Sequence, residues 1–249
     1  MTVRHDGLTV EWFGYATVRL ETPDGFVAYV DPGRYGVLTG EWDPDSPDAT
    51  HPEPVDYRAQ DGDAVFVTHD HHYDSDGIER VAAEDATVVV YEGVDADAID
   101  RDVTAVDDLP YDVRRIGAED RVTVGECEVR SVPAHNELDG PHTRANGEPY
   151  HPEGFGVGFL LSLGGKTVFW PGDSDVLDDH RELDVSLFLP PIGGSFTMDR
   201  REAAALAERL GPELVLPIHY DTFSALETDS GAFAADVARR GVPVVLDEK

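Results

Sequence analysis

The first third of the chain is written in short apolar runs broken by turn residues. Leu8-Thr9-Val10-Glu11-Trp12, residues 16–20 and residues 26–30 alternate or cluster their apolar side chains in the manner of strands. Between the last two, Pro23-Asp24-Gly25 reads as a turn, with Pro setting φ and Gly taking the positive φ. Residues 31–62 then become rich in Pro, Asp and Gly, and so long a loop is expected to be a functional lip. Ala64-Val65-Phe66-Val67 predicts a wholly apolar strand, residues 76–84 a short helix and residues 87–91 another strand. A hairpin is expected over 121–132 with its turn at Gly125, then a loop over 136–154. Strands follow at 156–163 and 167–170, joined by Gly164-Gly165. The remainder alternates: strand 185–189, helix 199–210 behind a Thr197 cap, strand 213–217, helix 230–240, strand 242–246. Hairpins first and alternation later, with no repeat, linker or composition break, predict one domain over 1–249. Its expected class is α/β (α+β), two sheets packed face to face with helices outside.

Composition narrows what such a domain does. Among 249 residues, 51 are Asp or Glu and 19 are Lys or Arg, a formal net charge of −32. Only Lys166 and Lys249 are lysines. A surface so negative repels nucleic acid and anionic membranes, which argues against both as partners. It leaves open a small, even anionic, substrate at a metal centre, where the ion supplies the local charge. A carboxylate-rich, Lys-poor surface also suits concentrated salt, where a Debye length near ~3 Å at about 1 M removes self-repulsion; a halophilic source is expected. The single Cys127 excludes internal disulfides and cysteine-based zinc modules. Met1 to Asp6 is polar and no apolar stretch nears about 18 residues, so no leader or membrane span is expected and the location predicted is cytoplasmic.

Five polar ligand-type segments each follow an apolar strand. The richest, Thr68-His69-Asp70-His71-His72-Tyr73-Asp74-Ser75-Asp76-Gly77, packs three His and three Asp into eight residues. Neutral imidazole is the commonest ligand for zinc-like ions, and a rigid strand end can aim it. The others place Asp31 after Val30, His135 after Ala134, Asp173 after Trp170-Pro171-Gly172, and His219 after Pro217-Ile218. Any one of these is an ordinary turn or cap; five point to one convergent site at strand ends.

An HxH after a strand, followed by strand-end His, Asp and His, resembles the ligand order of the metallo-β-lactamase superfamily. The likeness runs through Thr68-His69-Asp70-His71, Val132-Pro133-Ala134, His151-Pro152-Glu153-Gly154, Pro171-Gly172-Asp173-Ser174-Asp175, Pro191 to Met198 and Pro217-Ile218-His219-Tyr220. It is closest to the ascorbate-6-phosphate-lactonase-like branch of metal-dependent hydrolases. The resemblance implies an αββα four-layer sandwich of two mixed sheets with one or two divalent ions at the sheet edge. His69, His71 and His135 would hold the first ion, Asp173 would bridge, His219 would hold the second, and Asp31 would orient a ligand from behind.

The chain departs from the family's HxHxDH. Read without gaps, Tyr73 stands at the Asp and Asp74 at the His; shifted by one, Asp74 meets the Asp and Ser75 the His. Asp74 is the first substitute ligand and His72 the other. The third histidine is His135 or, in a loop shared with the branch, His151. His142 is expected to face solvent, and His5, His51 and His180 to be surface residues. Zinc is the default ion, with manganese or iron favoured by an oxygen-rich set.

The expected activity is hydrolysis of an ester, lactone or phosphoester by a metal-activated water. Asp173 or Asp74 would take the proton, and Tyr220 or Tyr73 would face the oxyanion. Backbone amides at 193–198 could meet an anionic group. A non-catalytic metal-binding or sensor protein with a degenerate second site is the rival, a metal-free pH switch the third reading, and a homo-oligomer is possible.

Overall fold

The computed structural model describes residues 2–51 and 55–248. Met1, residues 52–54 of the long loop and Lys249 lie outside the described residues. The first sheet holds β1 (Thr2–His5), β2 (Leu8–Gly14), β3 (Thr17–Glu21), β4 (Val27–Val30), β5 (Gly62–Val67), β6 (Ala82–Tyr91) and β7 (Asp112–Ile116), in sequence order. β1 to β4 pair antiparallel; β4 to β7 pair parallel. The second sheet runs β13 (Leu214–Val215), β12 (Leu187–Phe188), β11 (Lys166–Trp170), β10 (Gly156–Leu163), β9 (Cys127–Ala134), β8 (Arg121–Val124), and is also mixed.

Burial follows the residue pattern. β2 alternates buried and half-buried positions, as a strand with one wet face must, whereas β4 is buried throughout and β5 nearly so. The inner faces share one apolar core, in which Phe66 of β5 meets Phe159 of β10 with ring centroids 5.8 Å apart. Among the described residues three α-helices accompany the sheets: α1 (Ser75–Val81), α2 (Arg200–Leu210) and α3 (Ser230–Arg239). α2 starts on a reciprocal cap, not on Thr197: Asp199 accepts from the N–H groups of Arg201 (2.7 Å) and Glu202 (2.8 Å), and Glu202 accepts from Asp199 N–H. Thr197 is instead buried.

Three elements differ from expectation. β1 and β7 are edge strands too short or too charged to stand out; β7 reads Asp-Val-Arg-Arg-Ile, with only Ile116 buried. The strand expected at 242–246 reduces to a single bridge between Val215 and Val244.

His180 is not at the surface but fully buried. It accepts from Leu177 N–H at Nδ1 (3.4 Å) and donates from Nε2 to the Pro133 carbonyl (2.8 Å), which makes it a neutral imidazole. Burial drives its pKa down to about 4, against the opposing pull of that carbonyl. The stability tied to it is therefore complete above about pH 6.5 and is lost as pH falls toward 4, a loss of roughly 3 kcal/mol. In urea titrations of metal-free protein from pH 7 to 4, wild type is expected to lose about that much more than His180→Leu, which starts lower but falls less steeply.

Candidate metal centre

The cluster forms where the strands of both sheets end. β5 delivers the loop carrying His69, His71 and His72, and β11 delivers Asp173. The segment after β13 delivers His219, and the loop between β9 and β10 delivers His151. Gly156 opens β10 because a Cβ there would lie 2.9 Å from Cβ of His69; only glycine lets the two loops touch.

Asp173 sits at the centre with its oxygens facing two different groups. Oδ2 lies 3.6 Å from Nε2 of His69 and 3.4 Å from Nε2 of His151, while Oδ1 lies 3.4 Å from Nε2 of His72 and 3.3 Å from Nε2 of His219. His71 completes the first group, its Nδ1 3.0 Å from Nε2 of His151. Two ligands of a tetrahedral ion, each at about 2.0–2.1 Å, stand about 3.3 Å apart. The observed separations bracket that value, and the carboxylate is placed to bridge.

Donor chemistry passes the same test. Nε2 of His69, Nε2 of His72, Oδ1 of Asp173 and both ring nitrogens of His219 are buried without a hydrogen-bond partner. Buried polar atoms normally find partners, so a convergent set of orphaned lone pairs fits a cation. Burial pushes His71 down to about 2, His72 to about 3 and His151 to about 4, and His69 and His219 move the same way. All five are thus neutral, the state that ligates.

Asp31 sets the tautomers from behind. Its Oδ1 accepts from Thr68 N–H (2.8 Å); its Oδ2 accepts from Thr68 Oγ1 (2.9 Å), Trp170 Nε1 (2.7 Å) and His72 Nδ1 (2.9 Å). With the Thr68 hydroxyl proton committed to Asp31, His69 donates from Nδ1 to Thr68 Oγ1 (2.9 Å). Both histidines then turn Nε2 lone pairs inward. Burial raises the Asp31 pKa to about 6, and the donors around it keep it ionised at neutral pH.

The structure brings some of the predicted residues into the cluster and holds others away from it. His151, not His135, enters the first group: its Nδ1 donates to the Phe196 carbonyl (3.2 Å), and its N–H is held by Asn136 Oδ1 (2.9 Å). His135 turns its Nδ1 toward the Asn136 carbonyl (3.2 Å), while its backbone pins Ser174 and Asp175. His72, not Asp74, enters the second group. Asp74 caps α1, accepting from Gly77 N–H (3.1 Å) and Arg34 N–H (2.5 Å), a role in which its carboxylate faces backbone donors. Tyr220 donates to Glu248 (3.0 Å) and Tyr73 to the Thr104 carbonyl (2.6 Å), so neither hydroxyl reaches the cluster. His142 is buried, bonded to Asp175 (2.5 Å) and the Gly194 carbonyl (2.9 Å). His51 stacks on Trp12 at 3.7 Å, and His5 pairs with Glu213. The Met198 amide, one of the suggested anion donors, is taken by the Ser174 carbonyl.

Sequence reasoning missed Asn136, Arg34 and Tyr15. Arg34 donates to the His71 carbonyl and stacks on Tyr35, its guanidinium carbon 4.3 Å from the ring centroid. Tyr15 and His219 both hold left-handed backbones (φ 50° and 57°), at a cost of order 1–3 kcal/mol each, and are joined by a His219 N–H to Tyr15 carbonyl bond of 3.0 Å. The cluster opens into a cavity of about 190 Å³ walled by Tyr15, Tyr35, Tyr150, Phe196 and Phe223, with Arg34 the one cation among the described lining residues.

Two mixed sheets with a His/Asp cluster at their converging ends define a metallo-β-lactamase-type hydrolase fold. Sequence comparison agrees: the beta-lactamase superfamily domain profile matches residues 9–219. A UPF0173 metal-dependent hydrolase of Thermococcus kodakarensis is 30% identical over 233 residues, covering 89% of this chain and 93% of the relative. The chain belongs to this superfamily and, within it, to the UPF0173 metal-dependent hydrolases. This chain spans about half the length of several other relatives it matches; the one from Carboxydothermus hydrogenoformans is 36% identical over 129 residues, 50% of this chain and 54% of its own. Among solved structures, a putative metal-dependent hydrolase from Parabacteroides distasonis superposes with TM-score 0.70 at 20% identity, covering 99% of this chain and 96% of that one. Igni18, a metallo hydrolase from Ignicoccus hospitalis, gives 0.66 at 20%, covering 97% and 95%. These structures share the fold. Among the described residues no helix is long and apolar enough to cross a membrane.

Proposed function

We propose that this chain is a two-ion hydrolase that cleaves a small ester or lactone, with a phosphodiester as the next class. The observation that carries the reading is Asp173 shared between two adjacent donor groups at the floor of an aromatic-walled cavity. His69, His71 and His151 would hold one ion, His72 and His219 the other, with Asp173 between them. Five imidazoles to one carboxylate form a nitrogen-rich set, which favours zinc over manganese now that Asp74 stands outside it. When bound, the ions supply Lewis acidity and lower the pKa of water to roughly 7.

The residues do the rest. Asp173 is the one carboxylate among the described lining residues, and it receives the proton of the attacking water. Arg34 at the wall favours substrates with an anionic group, and the aromatic rings exclude water and seat the carbon skeleton. The −32 charge keeps nucleic acid out of the substrate range. The sensor reading drew on a second group short of one ligand; His72 supplies that donor.

The test is turnover of a lactone and bis(p-nitrophenyl) phosphate panel in molar salt, with metal content measured in parallel. We expect turnover that chelation abolishes and that His71→Ala lowers by about 10³-fold or more with the fold intact. Full metal loading with no turnover anywhere in the panel would favour the sensor instead.

A further inference from the structure

Tyr73 and Tyr220 spend their hydroxyls on Thr104 and Glu248. Tyr15 is different. It is 4% exposed and lines the cavity beside Asp173 and His219, and its hydrogen bonds to other described residues all run through its backbone, none through its hydroxyl. Its ring packs at 4.5 Å on His219 and edge-on at 4.9 Å on His72, the two histidines of the second donor group.

Everything else about Tyr15 is held. The N–H donates to Thr222 Oγ1 (3.1 Å), and the carbonyl accepts from Trp12 Nε1 (2.9 Å) and His219 N–H (3.0 Å). Tyr35 closes on the ring edge-on at 5.0 Å. A phenol this buried, fixed at the backbone and between rings, ordinarily has its hydroxyl paired within the protein. Tyr15 instead lines the cavity, where a bound molecule can supply the acceptor its hydroxyl lacks among the described residues.

We propose that Tyr15 is a catalytic residue whose hydroxyl donates a hydrogen bond to the substrate oxygen on which negative charge develops. This rests on the hydrolase reading above. In ester or lactone cleavage, the attacking water forms a bond to the carbonyl carbon and gives its proton to Asp173. The carbonyl π pair moves onto oxygen, where the Tyr15 O–H meets it. When that pair returns, the bond to the leaving oxygen breaks, and the leaving oxygen takes the proton from Asp173. Tyr15 keeps its own proton throughout, acting as a fixed dipole aimed at developing charge.

Tyr15→Phe tests this cleanly, because the hydroxyl has no protein partner and its removal leaves the ring packing on His72 and His219. On the zinc-loaded protein, kcat is expected to fall about 100-fold with KM within about 3-fold. Metal content and Tm stay at wild-type values. Inorganic phosphate, used as a tetrahedral anion probe in calorimetry, is expected to bind about 10-fold more weakly to Tyr15→Phe. Wild-type kcat and phosphate affinity in the variant would overturn the proposal while leaving the hydrolase reading standing. So would loss of zinc from the variant, which would make Tyr15 a packing support for His219. Absence of turnover by wild type defeats the hydrolase reading and the catalytic role together.

Discussion

Asp173→Ala is expected to yield a folded protein that holds neither ion tightly and whose hydrolysis is down on the order of 10⁴-fold. Each oxygen of that carboxylate serves a separate donor group, so one substitution dismantles both. Without metal the side chain gives the fold little hydrogen bonding. Oδ1 is buried with no hydrogen bond, and the surrounding imidazoles are neutral, so the carboxylate carries a desolvation cost with little return. Metal-free Asp173→Ala should therefore melt at or above metal-free wild type. Zinc at a thousandfold excess over Kd stabilises a one-site protein by about 4 kcal/mol, and that increment should be absent in the variant. Thermal melts with and without zinc, beside turnover, check both halves. A lower metal-free Tm would mean that Asp173 is structural.

Asp31→Ala should act in the opposite way, unfolding the protein before chemistry is considered. Asp31 is 1% exposed and accepts from Thr68 twice, from Trp170 and from His72, four donors that no other group serves as fully. Leaving buried donors unpaired costs about 1–3 kcal/mol for each one that water cannot reach. A loss of roughly 3–5 kcal/mol follows, a large share of the 5–15 kcal/mol typical of a domain. Urea unfolding of the metal-free protein measures it. In whatever fraction stays folded, the His72 ring is no longer held, and zinc affinity at the second group should fall about 10–100-fold. Wild-type stability in Asp31→Ala would show that the buried network is not what holds the loop after β5.

These two residues were visible from sequence, and the reason is physical. Asp31, His69, Asp173 and His219 each follow an apolar strand, and a strand end is a rigid mount whose direction the next residue or two inherit. The residues that sequence could not place are governed by contacts across the fold. His151 stands in the cluster where His135 does not because Asn136 fixes its backbone and the Phe196 carbonyl, 45 residues away, orients its ring. Asp74 is drawn off by the amide of Gly77 and that of Arg34, so helix capping wins over ligation there. His72 could enter only because Asp31 holds its other nitrogen. In the scaffold, the apolar strands were legible to within a few residues, whereas β7 hid behind its charges and the 242–246 run made only one bridge. Tyr15 carried no signal in its neighbours; its importance lies in a hydroxyl without a partner, which only coordinates display.

The most direct measurement is an anomalous-diffraction structure of zinc-loaded protein, which counts the ions and names their ligands. Two ions about 3.5–4 Å apart are expected, one on His69, His71 and His151, the other on His72 and His219, with Asp173 between them. A single ion, or an ion held by His135 or Asp74, would contradict the two-group centre described here.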